Sequence, residues 1–223
     1  MRRITTAALI APLGLALVAP AAIASPAAAP TAQAAVSAAP AVAAHQGTRS
    51  LATVLAADGI RFDHNQWDYD ILDAAVTAVL TAKPNSKVAL LADGKVALTA
   101  FLPNDLAFKR LYTSLIGRWP RSESQTFSGL AGKLGVKNIE KVLLYHVVPG
   151  ATIDAATALK ADGVRLKTAL GKTVTVDVVR GRHIRLIDKD PSAVNASVIV
   201  PNINKGNRQI AHGISRVLRP VDL

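Results

Sequence analysis

Residues 143–150 read LLYHVVPG, with His146 inside an apolar run that closes on Pro149-Gly150. An imidazole in such a place could be a general base or a metal ligand. Its neighbours predict a different role, because Ile139, Val142, Leu143 and His146 recur at helical offsets and form one stripe. The expected ring is buried, with its nitrogens bonded to backbone or side-chain groups. The stretch DHNQWDYD gathers Asp63, Asn65, Asp68 and Asp70, which suggests calcium. An EF-type loop starting at Asp63 needs glycine at its sixth position and glutamate at its twelfth, where this chain has Asp68 and Ala74. What remains is a polar loop whose Asp68 or Asp70 caps the next helix.

Other chemical patterns fail on spacing. Gly171-Lys172-Thr173 ends like a phosphate-binding loop, but the first glycine would fall at Leu166 and a strand pattern follows where a helix is required. Glycines 129, 132 and 135 have the wrong spacing for a dinucleotide fingerprint and read as close helix packing or a broken helix. No G-x-S-x-G or H-E-x-x-H is present, and no histidine pair has metal-binding helical spacing. The absence of cysteine excludes disulfides, thiolate metal sites and cysteine nucleophiles. No enzyme activity and no cofactor are expected.

The elements that must position these residues fall into two halves. Leu51, Val54 and Leu55 start a helix that stops by Gly59, and ILDAAVTAVLTA forms a second helix ended by Pro84. After a strand-like KVALTAFLP, Asn104 is the natural N-cap of a helix carrying Phe108, Leu111, Tyr112 and Leu115. Two more helices are predicted over 126–135 and 138–147, parted at Gly135. The period then changes: Val174, Val176 and Val178 alternate with polar residues, Arg180-Gly181 turns the chain, and RHIRLI completes a hairpin. NASVIVPNI and QIAHGISRVLRP supply further strands, so the class is α+β with an antiparallel sheet.

Residues 1–24 carry two arginines, an apolar stretch and an Ala-Ile-Ala cleavage pattern, and are expected to be a signal peptide. Residues 25–47 are an uncharged Ala/Pro-rich tether, and 48–223 are expected to form a single domain. The formal net charge is +11, which for an exported chain points to anionic cell-wall or matrix glycans, anionic surfaces or an acidic protein. Lys172, Arg180, Arg182 and Arg185 cluster around the hairpin as a candidate polyanion-binding patch, although charges on an exposed strand also block edge pairing. No aromatic residues interleave with them, so specific nucleic acid binding is not expected. A monomer is expected.

Three segments together resemble the fasciclin (FAS1) domain family. TAFLPNDLAF resembles its first box, T-V-F-A-P-T-N-x-A-F; YHVVPG resembles its central Tyr-His motif; and QIAHGISRVLRP resembles its closing box. Thr99, Phe101, Pro103, Ala107 and Phe108 match the first box, with Asn104 in place of the helix-capping threonine. Tyr145, His146 and Pro149 match the second, and His212, Ile214, Val217, Leu218 and Pro220 the third. Arg208-Gln209 replaces the usual Asn-Gly, and Ser215 replaces the usual Asp. Asn202-Ile203 stands near the Asp-Ile pair implicated in integrin adhesion in animal members, but with Asn for Asp. The resemblance implies a wedge of antiparallel strands with helices along one side, and a non-enzymatic extracellular adhesion or binding role. With one domain, no cysteine and an Ala-rich tether, the chain resembles bacterial secreted members more than animal matrix proteins. An alternative is a carrier of a lipid or small apolar ligand, suggested by the long apolar stripes and the loop around Trp67.

Overall fold

The computed structural model describes residues 46–221 apart from Asp58 and Ile60, so the expected signal peptide and nearly all of the tether lie outside the described residues. Gly47 already belongs to the fold. Its N–H donates to Gly206 O (2.8 Å) and its carbonyl accepts from Arg208 N–H (2.9 Å).

Helix α1 (Leu51–Leu55) starts on Ser50, whose hydroxyl accepts from Thr53 N–H. Helix α2 (Asp70–Ala82) buries Ile71, Leu72, Ala75, Val76 and Val79, with Leu80 half-buried beside them. A short 3-10 turn, Lys87–Ala92, leads to strand β1 (Leu98–Pro103). Helix α3 (Asp105–Ile116) is capped by Asn104, whose Oδ1 accepts from Ala107 N–H (3.0 Å), as expected. Helix α4 (Glu123–Tyr145) is broken at Gly135, whose φ of 70° and ψ of 159° are not helical, so it consists of the two expected helices joined at a kink. It ends at Tyr145 rather than 147, and the chain passes directly into strand β2 (Val147–Pro149). A single turn of helix, α5 (Ala155–Ala158), precedes β3 (Arg165–Lys167), β4 (Thr173–Val179), β5 (His183–Ile187), β6 (Ala196–Ile203) and β7 (Gln209–Ile214).

The seven strands are ordered β2-β1-β7-β6-β5-β4-β3. All neighbours are antiparallel except β1 and β7, which run parallel with Thr99 opposite Ile210 and Phe101 opposite His212. Residues after β3 return to the other edge: Ala169 N–H donates to Val147 O (2.7 Å) and Leu170 N–H to Leu144 O (3.2 Å). The sheet is thereby nearly closed on itself.

Every residue of β1 is buried, because the strand has apolar matter on both faces. Leu98, Ala100 and Leu102 face a core built with α1, α2, α3 and α4. Phe101 faces a second core with Val174, Val176, Ile184, Leu186 and Leu218. Helix α5 adds Ala158 to this second core, so one short helix lies apart from the other four.

The glycines of GLAGKLG have separate jobs. A Cβ at Gly129 would stand 2.4 Å from the Tyr112 ring, and Tyr112 is itself buried on α3. A Cβ at Gly132 would meet nothing within 4 Å. Gly129→Ala is expected to lower stability by about 1–3 kcal/mol through overpacking. Gly132→Ala should leave stability unchanged or raise it by up to about 1 kcal/mol. Urea denaturation of the two variants provides the check.

Candidate functional site

The motif residues converge on the seam between the two cores. Thr99 Oγ1 donates to Ala151 O and accepts from Ile153 N–H, both at 2.8 Å, tying the segment after β2 to β1. Phe101 lies beside His212 across the parallel pair, ring centres 6.1 Å apart, and Pro103 ends the strand opposite Ile214. Phe108, Val217 and Leu218 are buried. Tyr145 is fully buried and donates its hydroxyl proton to Thr173 O (2.9 Å), while Pro149 is exposed at the end of β2.

His146 stands just past the end of α4, buried as expected. Leu218 N–H lies 2.9 Å from Nε2, and a backbone N–H can only donate. Nε2 is therefore the acceptor, and the proton on Nδ1 is donated to Val142 O (2.7 Å). His212 uses the opposite tautomer: Nδ1 accepts from Asn202 N–H (3.3 Å) and Nε2–H donates to Ile153 O (2.9 Å). Both rings are fully occupied by backbone, which leaves neither as a base or a ligand. Burial pushes His146 down to about 4 and lowers His212, partly opposed there by the Ile153 carbonyl and by Asp154. Groups lowered in this way contribute stability that is present above pH about 6.5 and is lost as pH falls toward 4. His146→Ala is expected to cost about 1–3 kcal/mol, because Leu218 N–H is left buried without its acceptor. Thermal unfolding of the variant measures this.

Two departures from the family pattern also have structural roles. Gln209 is completely buried; its Oε1 accepts from Leu51 N–H (2.8 Å) and its Nε2 donates to Leu90 O and Asp93 O (2.7 Å each). One side chain thus joins α1, the 3-10 turn and β7. Asn202 accepts from Ala155 N–H (2.8 Å), so its amide is used inside the fold.

The acidic residues gather more closely than their spacing suggested. Carboxylate oxygens of Asp68, Asp70 and Asp105 lie within 4.8 Å of one another and all three residues are buried; Asp63, Asp70 and Glu123 form a second such group. Asp105 joins the set from α3. The α2 N-terminus is capped neither by Asp68 nor by Asp70: Asp105 Oδ1 accepts from Ile71 N–H (3.1 Å). Glu123 is already held by Lys109 Nζ (2.8 Å) and His64 N–H (3.0 Å). The Asp68, Asp70 and Asp105 oxygens lie close enough together for one cation to bridge them. A proton on Asp105 also relieves the crowding: burial pushes this carboxyl up to about 8, helped by Asp68, Glu123 and Asp70 and opposed by the Ile71 amide.

A carboxyl raised in the fold keeps its proton after the unfolded chain has lost its own, so its contribution is lost as pH rises through about 8. By about pH 7.5 the histidines of the unfolded chain have also lost their protons, so melting temperature is expected to fall between about pH 7.5 and about pH 8.5. The slope is at most about 1.4 kcal/mol per pH unit for one proton. Asp105→Asn keeps an acceptor for Ile71 and should remove this decline, as melts of the two proteins at both pH values would show.

The hairpin cations divide. Lys172 Nζ donates to Pro220 O (2.7 Å), and Arg185 pairs with Asp177 on the adjacent strand. Arg180 and Arg182 remain exposed at the β4–β5 turn, and among the described residues neither forms an ion pair. A second basic group was not legible in the sequence: Arg110 of α3 and Arg216 and Arg219 of the closing segment line one pocket of about 400 Å³. The Arg-x-x-Arg spacing at the C-terminus was visible, but nothing linked it to Arg110. Two apolar interior cavities are small, about 30 and 10 Å³, and offer no preformed space for an acyl chain.

The family model of the Fasciclin domain matches residues 69–220. Comparison with curated proteins finds no significant match. Among solved structures, a FAS1 domain pair of the insect cell adhesion molecule fasciclin I is similar, with 14% identity and a TM-score of 0.48. That similarity covers 68% of this chain and 48% of the insect chain, so the present chain spans about half the length of that protein. The match to the family model takes in β1 to β7 and all three motif boxes, and the chain belongs to the fasciclin family.

Proposed function

We propose that this chain is a secreted, non-enzymatic fasciclin-type binding module that associates with anionic components of the cell envelope, the extracellular matrix or a host surface. Fasciclin domains are known as adhesion modules. The observation that carries the anionic preference is the pair of exposed arginines, Arg180 and Arg182, at the β4–β5 turn without an acid partner among the described residues. An exposed cation without a counter-charge loses little hydration when an anionic polymer comes close, and its attraction is screened by salt. Behind this surface the buried Tyr145 holds β4 through Thr173 O.

Co-sedimentation with isolated cell wall and with anionic glycans at about 50 mM and about 500 mM salt tests the reading. Binding is expected at low salt and loss at high salt. The double variant Arg180→Gln/Arg182→Gln should bind several-fold more weakly. No binding at low ionic strength, or equal binding by the double variant, would overturn it.

A further inference from the structure

The pocket beside α3 has a composition that surface charge alone does not explain. Arg110 and Ser114 lie one helical turn apart on α3, Arg216 and Arg219 come from the segment after β7, and Ser192 and Val194 from the loop between β5 and β6. Two of the arginines are anchored. Arg219 donates Nη1 to Asp190 (3.0 Å) and Nη2 to Ser114 Oγ (2.7 Å), and its backbone N–H binds Asp188 (2.7 Å). Arg110 donates Nη1 to Ser215 O (3.0 Å). Arg216 makes no side-chain hydrogen bond or ion pair among the described residues, although it is partly buried. Burial, with Arg110 and Arg219 nearby, lowers its affinity for the proton.

Three guanidiniums therefore share a half-enclosed space beside two carboxylates, Asp190, ion-paired with Arg219, and Asp188, which accepts the Arg219 N–H. Gathering like charges costs free energy, which a bound oxyanion offsets. Each guanidinium presents a planar fork of donors that matches phosphate, sulfate and carboxylate oxygens. Ser114 Oγ accepts from Arg219 and so retains its own proton to donate. The cations enter from α3 and from both ends of the Arg216–Arg219 segment, which suits a group with three or four oxygens better than a two-oxygen carboxylate. A volume of about 400 Å³ is at the small end of ligand pockets, enough for one sugar-sized unit. No aromatic ring lines it for a base to stack on.

We propose that this pocket is a specific site for a phosphate or sulfate ester carried on a sugar, such as a pendant group of an anionic glycan. Arg216 and Arg110 grip the ester oxygens, and Arg219, fixed by Asp190 and Ser114, sets the wall against which the group docks.

Calorimetric titration of the full chain at low ionic strength with glucose 6-phosphate, glucose 6-sulfate, inorganic phosphate and glucose tests this. Both esters are expected to bind and glucose is not. Arg216→Gln and Arg110→Gln should each weaken ester binding at least tenfold, while Lys133→Gln, an equal charge loss on an exposed position of α4, should not. Arg216→Gln should melt no lower than the unaltered protein, because it removes repulsion, so lost binding cannot be ascribed to unfolding. Absence of ester binding, or equal weakening by Lys133→Gln, overturns the site. Inorganic phosphate binding more tightly than either ester overturns the assignment to a sugar-borne group. The titration uses neither polymer nor the β4–β5 turn, so its outcome and that of the cell-wall experiment are separable.

Discussion

The imidazole of His146 holds the end of the chain against its middle. Its Nδ1–H closes on Val142 O in the last turn of α4, and its Nε2 receives Leu218 N–H from a segment 72 residues further on. In a dry interior both bonds are stronger than in water, and leaving either group alone would be costly. The segment after β7 has no regular structure of its own, so its place is set by such contacts. Arg219 N–H to Asp188 and Pro220 O to Lys172 complete them. Once Leu218 is pinned, Arg216 and Arg219 are presented on either side of it, facing α3.

His212 does comparable work on the other side of the parallel pair, with the opposite tautomer. It connects the β2–α5 link at Ile153 to the bulged end of β6 at Asn202. Two neutral histidines thus join four chain segments around β1 and β7. That pairing separates the two apolar cores and puts alternate residues of β1 into each. The histidine, tyrosine and threonine of the motif boxes are in this protein a set of hydrogen-bonding struts.

Helix α3 carries members of two unlike clusters. Asp105 stands at the positive N-terminus, where it also caps α2, while Arg110 and Ser114 lie further along. The acidic group at one end is buried enough that protonation relieves it, whereas guanidiniums cannot shed their protons near neutral pH and must be neutralised from outside. The two clusters therefore respond differently to their surroundings, one to pH and the other to anions.

Much of the fold was legible locally. The stripes of α2 and α3, the Asn104 cap, the break at Gly135 and the β4–β5 hairpin follow from periodicity, capping and turn chemistry that act within a few residues. The burial of His146 was legible for the same reason, since it extends an apolar face. The parallel pairing of β1 with β7 was not, because strands read alike whichever neighbour they choose. Nor was the cap of α2, supplied by Asp105 from 34 residues away, or the hub formed by Gln209. The basic site shows the division most clearly. Composition determined that the protein is cationic and the hairpin displayed some of that charge, but Lys172 and Arg185 were claimed by Pro220 and Asp177. Only the docking of the closing segment on α3 brought Arg110 together with Arg216 and Arg219, because electrostatic neighbours are set by distance in space, and Arg110 is more than 100 positions from the other two along the chain.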